Sequence, residues 1–363
     1  MKIAFFMQSY IADYNFGCAH FMRGLIRELI NEKNIKVKVF SPSDTPVLVE
    51  ALKLNPNISE ETSQYYPHVE IFNYVGWGCF ERELKDFDAV IVNEWIDDAL
   101  SSKIAEIGKR NGIKTFYYDT HHRIVSDVDG LKSSGVSNYD CVLVLGESVK
   151  SAYVKNNIHR NVVVFQESLD DHLFRPNNKV GEDVIWIGNY GHGERGQALM
   201  TALYSTADKG INTVCYGTGY PDEAVKGMEN KAISYGGWLS NIHVPNICTN
   251  SLWMLHIPRM PYGEALAGIP NIRPFEAAGL GVPLIVISKE EIGYPFVPNE
   301  HYILFRTIKD YVDSIAWFIE NKGLLEGIAD NAYSMVIHGH LCKDRAKELL
   351  SIIQGTDYEV RRA

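Results

Sequence analysis

Short apolar runs recur along the chain, each followed by a polar or glycine-containing stretch and then by a longer segment with apolar residues three and four apart. The first run, Ile3-Ala4-Phe5-Phe6-Met7, leads through a polar loop, Gln8 to Gly17, into a helical pattern with Phe21, Leu25, Ile26 and Leu29 on one face, and then into a strand, Lys36 to Phe40. Continuous apolar runs predict strands covered on both faces, and the longer period predicts amphipathic helices. Their alternation is that of a parallel sheet wound with helices on both sides. Ser41 to Pro67 interrupts the pattern: prolines, asparagines and acids with weak periodicity predict a long loop with one helical piece. The pattern resumes with a strand at Val69 to Phe72, a buried strand at Ala89 to Val92, a helix at Asp97 to Asn111 and a strand at Thr115 to Tyr118. A strand at Cys141 to Leu145, a helix at Glu147 to Asn156 and a strand at Val162 to Phe165 follow, and the first domain closes near Leu173.

Arg175 to Glu182 is polar, carries proline and glycine, and has the composition of a linker. A second α/β series then begins, with strands at Val184 to Ile187, Thr213 to Tyr216, Ile233 to Tyr235, Leu252 to Leu255, Leu284 to Ile287 and Tyr302 to Phe305. Glu194 to Lys209 is its first helix, and Ile308 to Asn321, Leu324 to Ile337 and Lys343 to Gln354 are its last three. The fold class expected is α/β, with two similar halves separated by a cleft: an N-terminal domain over 1–173 and a C-terminal one over 174–337.

Composition narrows the function classes. At 363 residues the chain is long enough for two domains, and 46% hydrophobic with 22% charged residues is the balance of a globular protein. A formal charge of −10 argues against a partner that is a nucleic-acid backbone. The six cysteines are scattered without C-x-x-C or Cys/His metal spacing, so buried thiols in a reducing compartment are expected rather than zinc or disulfides. The first apolar run is too short for a membrane span, the residues after it are no cleavage site, and no other stretch is long enough to span. The location expected is therefore the cytoplasm, with peripheral contact as the one form of membrane association left open.

The stretch Gly268 to Ser288, GIPNIRPFEAAGLGVPLIVIS, carries the densest signals. A Gly/Pro/Asn-rich loop enters a helix start at Arg273-Pro274-Phe275-Glu276, Gly279 and Gly281 stop the helix, and Pro283 opens the strand Leu284 to Ile287. Proline suits a first helical turn and glycine a helix exit. Such a helix turns its unpaired N–H groups toward the preceding loop and attracts anions, phosphates included. Glu276, expected in the first turn, is placed to accept hydrogen bonds from sugar hydroxyls. A packed crossover with an acid favoured by the helix dipole accounts for the same residues.

Other candidates lie on strand-end loops. In Gly188-Asn189-Tyr190-Gly191-His192-Gly193-Glu194-Arg195-Gly196 the glycines let backbone approach a ligand, and Arg195 has the fork of donors that clamps a diphosphate. A flexible turn with a solvated arginine is the plain alternative. The dinucleotide pattern fits neither this loop nor Gly217-Thr218-Gly219, where Pro221 intervenes. Asp119-Thr120-His121-His122 ends a strand, where an open α/β sheet binds ligands. His121 and His122 either meet a sugar or phosphate or are core histidines. Gly17 and His20, in the first β-loop-α turn, are candidates for the acceptor side, and Glu264 is a loop carboxylate able to face a transferred sugar. Asp127-Val128-Asp129 reads as a capping pair rather than a metal pair, and no metal or cofactor is expected. Neither a hydrolase nucleophile elbow nor a P-loop occurs.

Over Val184 to Leu350 the chain resembles the CgeB-like (spore maturation protein-like) glycosyltransferases of the wider retaining GT-B group. The resemblance rests on I-G-N-x(5)-R at Ile187 to Arg195, on N-x-R-P-F-E-A-A-G-L-G-V-P-L at Asn271 to Leu284, on the Asn299-Glu300-His301 turn, and on the terminal helices with Ile328-Ala329 and His338 to Arg345. It implies a GT-B fold of two Rossmann-like domains, with the last helix, 338–363, crossing back to the first domain. It also implies transfer of a hexose from a nucleotide-diphosphate sugar, a UDP-sugar by preference, to an unidentified acceptor, with retention and without metal. Glu276 is then expected on the ribose diol, Arg195 and Arg273 on the diphosphate, and backbone N–H groups near Asn271 and Ile272 on phosphate. Gly188 and Asn189 belong to the same donor set, His121, Arg195 and Glu264 to the catalytic one. Many relatives carry a second glutamate eight positions before that of the helix, where this chain has Gly268. A nucleotide-sugar-binding protein without activity and a sugar-nucleotide 2-epimerase remain as alternatives.

Overall fold

The computed structural model describes residues 1–76, 80–176, 181–191, 193, 195–263 and 265–356. The chain divides into two compact units, one formed by Met1–Ser168 with the segment from Leu341 onward, the other by Leu169–His340. The periodicity places the corresponding changes at Leu173 and Ile337.

The first unit is built on a seven-stranded sheet in the order β3-β2-β1-β4-β5-β6-β7. Its strands are β1 (Lys2–Phe6), β2 (Lys36–Pro42), β3 (Glu70–Tyr74), β4 (Ala89–Asn93), β5 (Lys114–Asp119), β6 (Cys141–Val144) and β7 (Val162–Val164). Every pairing is parallel, and β1 lies between β2 and β4, with Phe5 opposite Val39 on one side and Ile91 on the other. The chain leaves β1 toward one edge of the sheet and β4 toward the other. Their carboxyl ends therefore flank the topological switch point at which open α/β sheets bind ligands. All four helical-face residues Phe21, Leu25, Ile26 and Leu29 are buried.

Helix Cys342–Gln354 packs on helix Ala19–Asn31 within this unit. Its Cys342, Ala346, Leu349 and Ile353 recur at three- and four-residue intervals and are buried. Lys114 Nζ donates to the Ile353 carbonyl at 2.6 Å, and Arg345 Nε to the Gln166 carbonyl at 3.0 Å. Between β2 and β3, where one helical piece is expected, the chain forms two helices, Pro46–Leu54 and Ile58–Tyr65. Each buries only two side chains, Leu48 and Ala51 in one, Ile58 and Thr62 in the other, which is too little to leave a clear apolar stripe in the sequence.

The second unit has a six-stranded sheet in the order β10-β9-β8-β11-β12-β13. Its strands are β8 (Asp183–Ile187), β9 (Thr213–Tyr216), β10 (Ser234–Tyr235), β11 (Ser251–His256), β12 (Leu284–Ile287) and β13 (Ile303–Phe305), again all parallel. The switch point here lies between β8 and β11. Trp186, Trp253, Tyr311 and Phe318 anchor the core beside them. Burying each such side chain contributes on the order of 1.5–3 kcal/mol, so the two central strands are firmly held.

Among the described residues, no helix is long and apolar enough to cross a membrane. Cys18, Cys141, Cys215, Cys248 and Cys342 are buried free thiols. Cys79 lies outside the described residues.

Candidate functional site

In the second unit the glycine loop follows the carboxyl end of β8, and its Arg195 reaches the residue that follows β11. Gly188 and Tyr190 continue the pairing of β8 with β9, their N–H groups donating to the carbonyls of Tyr216 at 2.9 Å and Thr218 at 3.0 Å. Gly217 is required by this pairing: at φ 140° its missing Cβ would lie 1.9 Å from the Gly188 carbonyl oxygen. Gly217 therefore serves backbone packing.

Arg195 precedes helix Gly196–Ala207, and its guanidinium turns back over the strand ends. Nη1 donates to the Ile257 carbonyl at 2.8 Å and Nη2 to the Asn189 carbonyl at 3.0 Å. The guanidinium also lies 5.0 Å from the centre of the Trp186 ring. Two carbonyls and an indole face hold a planar cation directly over the switch point.

Helix Ile272–Leu280 begins one residue earlier than the sequence pattern predicts and runs through Gly279 to Gly281, which closes it at φ 65°. Gly279 does not stop the helix; it admits Leu169, whose Cδ1 would sit 2.3 Å from a Cβ there. Asn271 caps the helix by accepting from the Arg273 N–H at 3.2 Å. Glu276 consequently lies in the second turn, not the first, and is fully buried. Its carboxylate forms an ion pair with Arg273, one turn earlier on the same face.

The last residue of β11 is His256, one position beyond the apolar run that marks the strand in the sequence. Burial pushes its pKa down to about 3, and the cations Arg195 and Arg273 add to the shift. Cys248, whose thiol burial pushes up to about 12, senses both Arg273 and Glu276. The buried imidazole is thus kept neutral under the influence of two guanidinium groups, that of Arg273 balanced by Glu276 and that of Arg195 held by backbone carbonyls. The arrangement offers an anion positive charge on a rigid frame.

Gly268 adopts φ 78°, a conformation that L side chains rarely take, and nothing lies within 4 Å of the Cβ position. Space is available there, but the backbone does not suit a glutamate. Glu264 lies outside the described residues, as do His192 and Glu194 of the glycine loop.

In the first unit, a polar cluster gathers at the ends of β4 and β5. Glu94 Oε1 accepts from the Thr120 N–H at 2.8 Å and from its hydroxyl at 2.6 Å. Asp119 Oδ1 accepts from the His121 N–H at 3.0 Å, and Oδ2 from the Tyr153 hydroxyl at 2.6 Å. Burial, and then the Asp119 carboxylate beside it, raise the Glu94 pKa well above the usual carboxyl range. These two acids fix the turn that carries His121. The His121 ring packs edge-on against Trp95 with centroids 4.8 Å apart and 3.7 Å from the ring of His122.

His122 is buried, with Nδ1 2.7 Å from the Ser126 hydroxyl oxygen. His20 is fully buried in helix Ala19–Asn31, and Gly17 precedes that helix with open space around it. Asp127 accepts from the Gly130 N–H at 3.0 Å as a helix cap, and Asp129 pairs with Lys132. The sequence pattern singles out neither Glu94, Trp95 nor His256. Each ends an apolar strand or follows it within two residues, and that position at a strand's carboxyl end is the signal that points to them.

The family model described as glycosyl transferase-like matches residues 195–351, from Arg195 into the C-terminal helix. No curated protein sequence matches the chain. Among solved structures, Anabaena HepE in complex with UDP-glucose superposes with a TM-score of 0.71 at 13% identity, covering 98% of this chain and 100% of that one. The lipopolysaccharide outer core galactosyltransferase WaaB, in its apo form, gives 0.63 at 15% identity, over 98% and 99%. An S. aureus TarM mutant in complex with fondaparinux, alpha-GlcNAc-glycerol and UDP gives 0.69 at 9% identity, over 97% and 99%. The two parallel-sheet, Rossmann-like units are those of the GT-B fold.

Proposed function

We propose that this chain is a glycosyltransferase that moves a hexose from a UDP-sugar to an acceptor, with retention of configuration and without a metal ion. The observation that carries the reading is the Arg195 guanidinium fixed at the carboxyl ends of β8 and β11 by the Ile257 and Asn189 carbonyls, in a unit where helix Ile272–Leu280 carries the Arg273 and Glu276 pair. The match of residues 195–351 to a glycosyl transferase-like family supports it, as do the UDP and UDP-glucose held by HepE and TarM on the same fold.

The chemical task is to stabilise the negative charge that grows on the departing diphosphate. Arg195, already oriented by the Ile257 and Asn189 carbonyls, supplies a fixed cation with no reorganisation at the moment of bond breaking. The N–H groups at the helix start near Asn271 and Ile272 add partial positive charge, and the glycine loop at Gly188 and Asn189 lets backbone approach the phosphates. Because Glu276 is enclosed and paired with Arg273, ribose docking requires Arg273 to turn away from it. That exchange gives the carboxylate to the diol and the guanidinium to the diphosphate. The acceptor hydroxyl attacks from the leaving-group face, and a diphosphate oxygen takes its proton. The five buried thiols suit a reducing, cytoplasmic setting.

Incubation with UDP-glucose, UDP-galactose and UDP-N-acetylglucosamine, with and without mixed glycoside acceptors, followed by product analysis by NMR, tests the reading. Acceptor-dependent UDP release with an α-linked product is expected. A new nucleotide sugar formed from donor alone would mean an epimerase, and tight donor binding with no turnover would mean a non-catalytic sensor.

A further inference from the structure

A cavity of about 300 Å³ opens in the first unit at the carboxyl ends of β1, β2, β3 and β4, with Gln8, Asp44, Tyr74, Trp95 and Asp97 in its wall. It lies on the switch point of that sheet, and its size is at the lower end for small-molecule sites, room for one ring rather than a long chain. Trp95 exposes 41% of its surface, while one edge of its environment is fixed by the His121 ring. An exposed indole backed by a second ring is a flat platform for the C–H face of a sugar.

Tyr74 gives the wall its sharpest feature. The residue is 7% exposed, its ring is wedged against Phe6 and Phe80, and its hydroxyl has no hydrogen-bond partner among the described residues. A buried hydroxyl without a partner is costly and uncommon, and at a cavity wall it marks a place where a ligand completes the bonding. Burial first, then the carboxylates of Asp44 and Asp97, raise the Tyr74 pKa, so the hydroxyl keeps its proton and sits within the field of both acids. Asp97 is held in place by capping helix Asp98–Asn111, accepting from the Leu100 N–H at 3.0 Å. Among the described lining residues two are acids and none is basic.

We propose that this cavity is a carbohydrate site of the first unit and that it takes an uncharged or amine-bearing pyranose, stacked on Trp95, hydrogen-bonded by the Tyr74 hydroxyl and by the Asp44 and Asp97 carboxylates. Carboxylates accept sugar O–H or ammonium N–H groups and repel phosphate or carboxylate substituents.

The test uses the full chain without donor. Saturation-transfer NMR and titration compare methyl glucoside and glucosamine with glucose 6-phosphate and glucuronate. The first two are expected to bind, the second two at least about tenfold more weakly. Tyr74→Phe is expected to weaken methyl glucoside about fivefold or more while its melting temperature holds or rises, because an unpaired buried hydroxyl has gone. Trp95→Ala is expected to remove most of the saturation transfer. Equal binding of glucose 6-phosphate, no binding of any of the four, or unchanged affinity in Tyr74→Phe overturns the proposal. UDP titration of the wild type reports on the donor reading separately. Its failure with glycoside binding intact sinks the transferase reading and leaves a sugar site, while the reverse sinks the cavity assignment alone.

Discussion

Arg195 reaches from the start of helix Gly196–Ala207 to the backbone carbonyl of Ile257, 2.8 Å from Nη1, tying the glycine loop after β8 to the residue that follows β11. Its other terminal nitrogen holds Asn189. This fork geometry is specific to a guanidinium. Arg195→Ala is expected to weaken UDP binding by about 1.5–3 kcal/mol, roughly 10- to 150-fold. Arg195→Lys is expected to recover only a minor part, since a point charge cannot bridge two carbonyls and a phosphate. Calorimetry on the three proteins checks this, and full recovery by lysine would show that charge alone matters.

Arg273 and Glu276 are a buried pair whose separate removal leaves an unbalanced charge. Glu276→Ala is expected to destabilise the protein by about 3–5 kcal/mol, and Arg273→Ala to do so less because its side chain retains some solvent contact, 13% against 1% for Glu276. In the double variant the loss is expected to fall short of the sum. Urea unfolding of the four proteins measures the coupling, and additive losses would contradict a working pair.

His256 gives the protein an acid-side sensitivity. Its folded pKa, about 3, lies below the ordinary 6.5, so between those values the unfolded chain binds a proton that the folded chain refuses. Stability from this group is complete above about pH 6.5 and is lost as pH falls toward 3. His256→Gln is expected to flatten the fall in melting temperature between pH 6.5 and pH 4. Parallel curves for variant and wild type would place the sensitivity elsewhere.

Glu94 acts in the opposite sense. Its folded pKa is raised by burial and by Asp119, so its favourable contribution is present at low pH and is lost as pH rises through the folded pKa. Glu94→Gln keeps an acceptor for Thr120 and cannot ionise. The variant is expected to gain in melting temperature relative to wild type between pH 5 and pH 8. A constant difference across that range would mean that the carboxyl does not change charge there.

The alternation of apolar runs and amphipathic segments made both sheets readable, because strands covered on two faces, such as Ala89–Asn93 and Leu284–Ile287, are nearly continuous apolar runs. Helices Pro46–Leu54 and Ile58–Tyr65 escaped the pattern because each rests on two buried residues. The candidate site was legible where composition is unusual, in the glycine loop and in Asn271 to Gly281. It was not legible where a polar residue takes its meaning from tertiary neighbours. His256 reads as the end of an apolar run until burial and two arginines from distant segments act on its charge, and Trp95 reads as a loop aromatic until His121 and the cavity meet it. Gly279 was open to misreading for a related reason: it looks like a helix exit, while its role is to let Leu169 approach the helix.

The second unit is proposed to hold a uridine diphosphate at the ends of β8 and β11. Calorimetric titration of the wild-type chain with UDP, with Arg195→Ala in parallel, measures it directly. One site per chain, no requirement for added metal, and a loss of at least about tenfold in the variant are expected. No heat of binding with the wild type, or equal affinity in the two proteins, would contradict it.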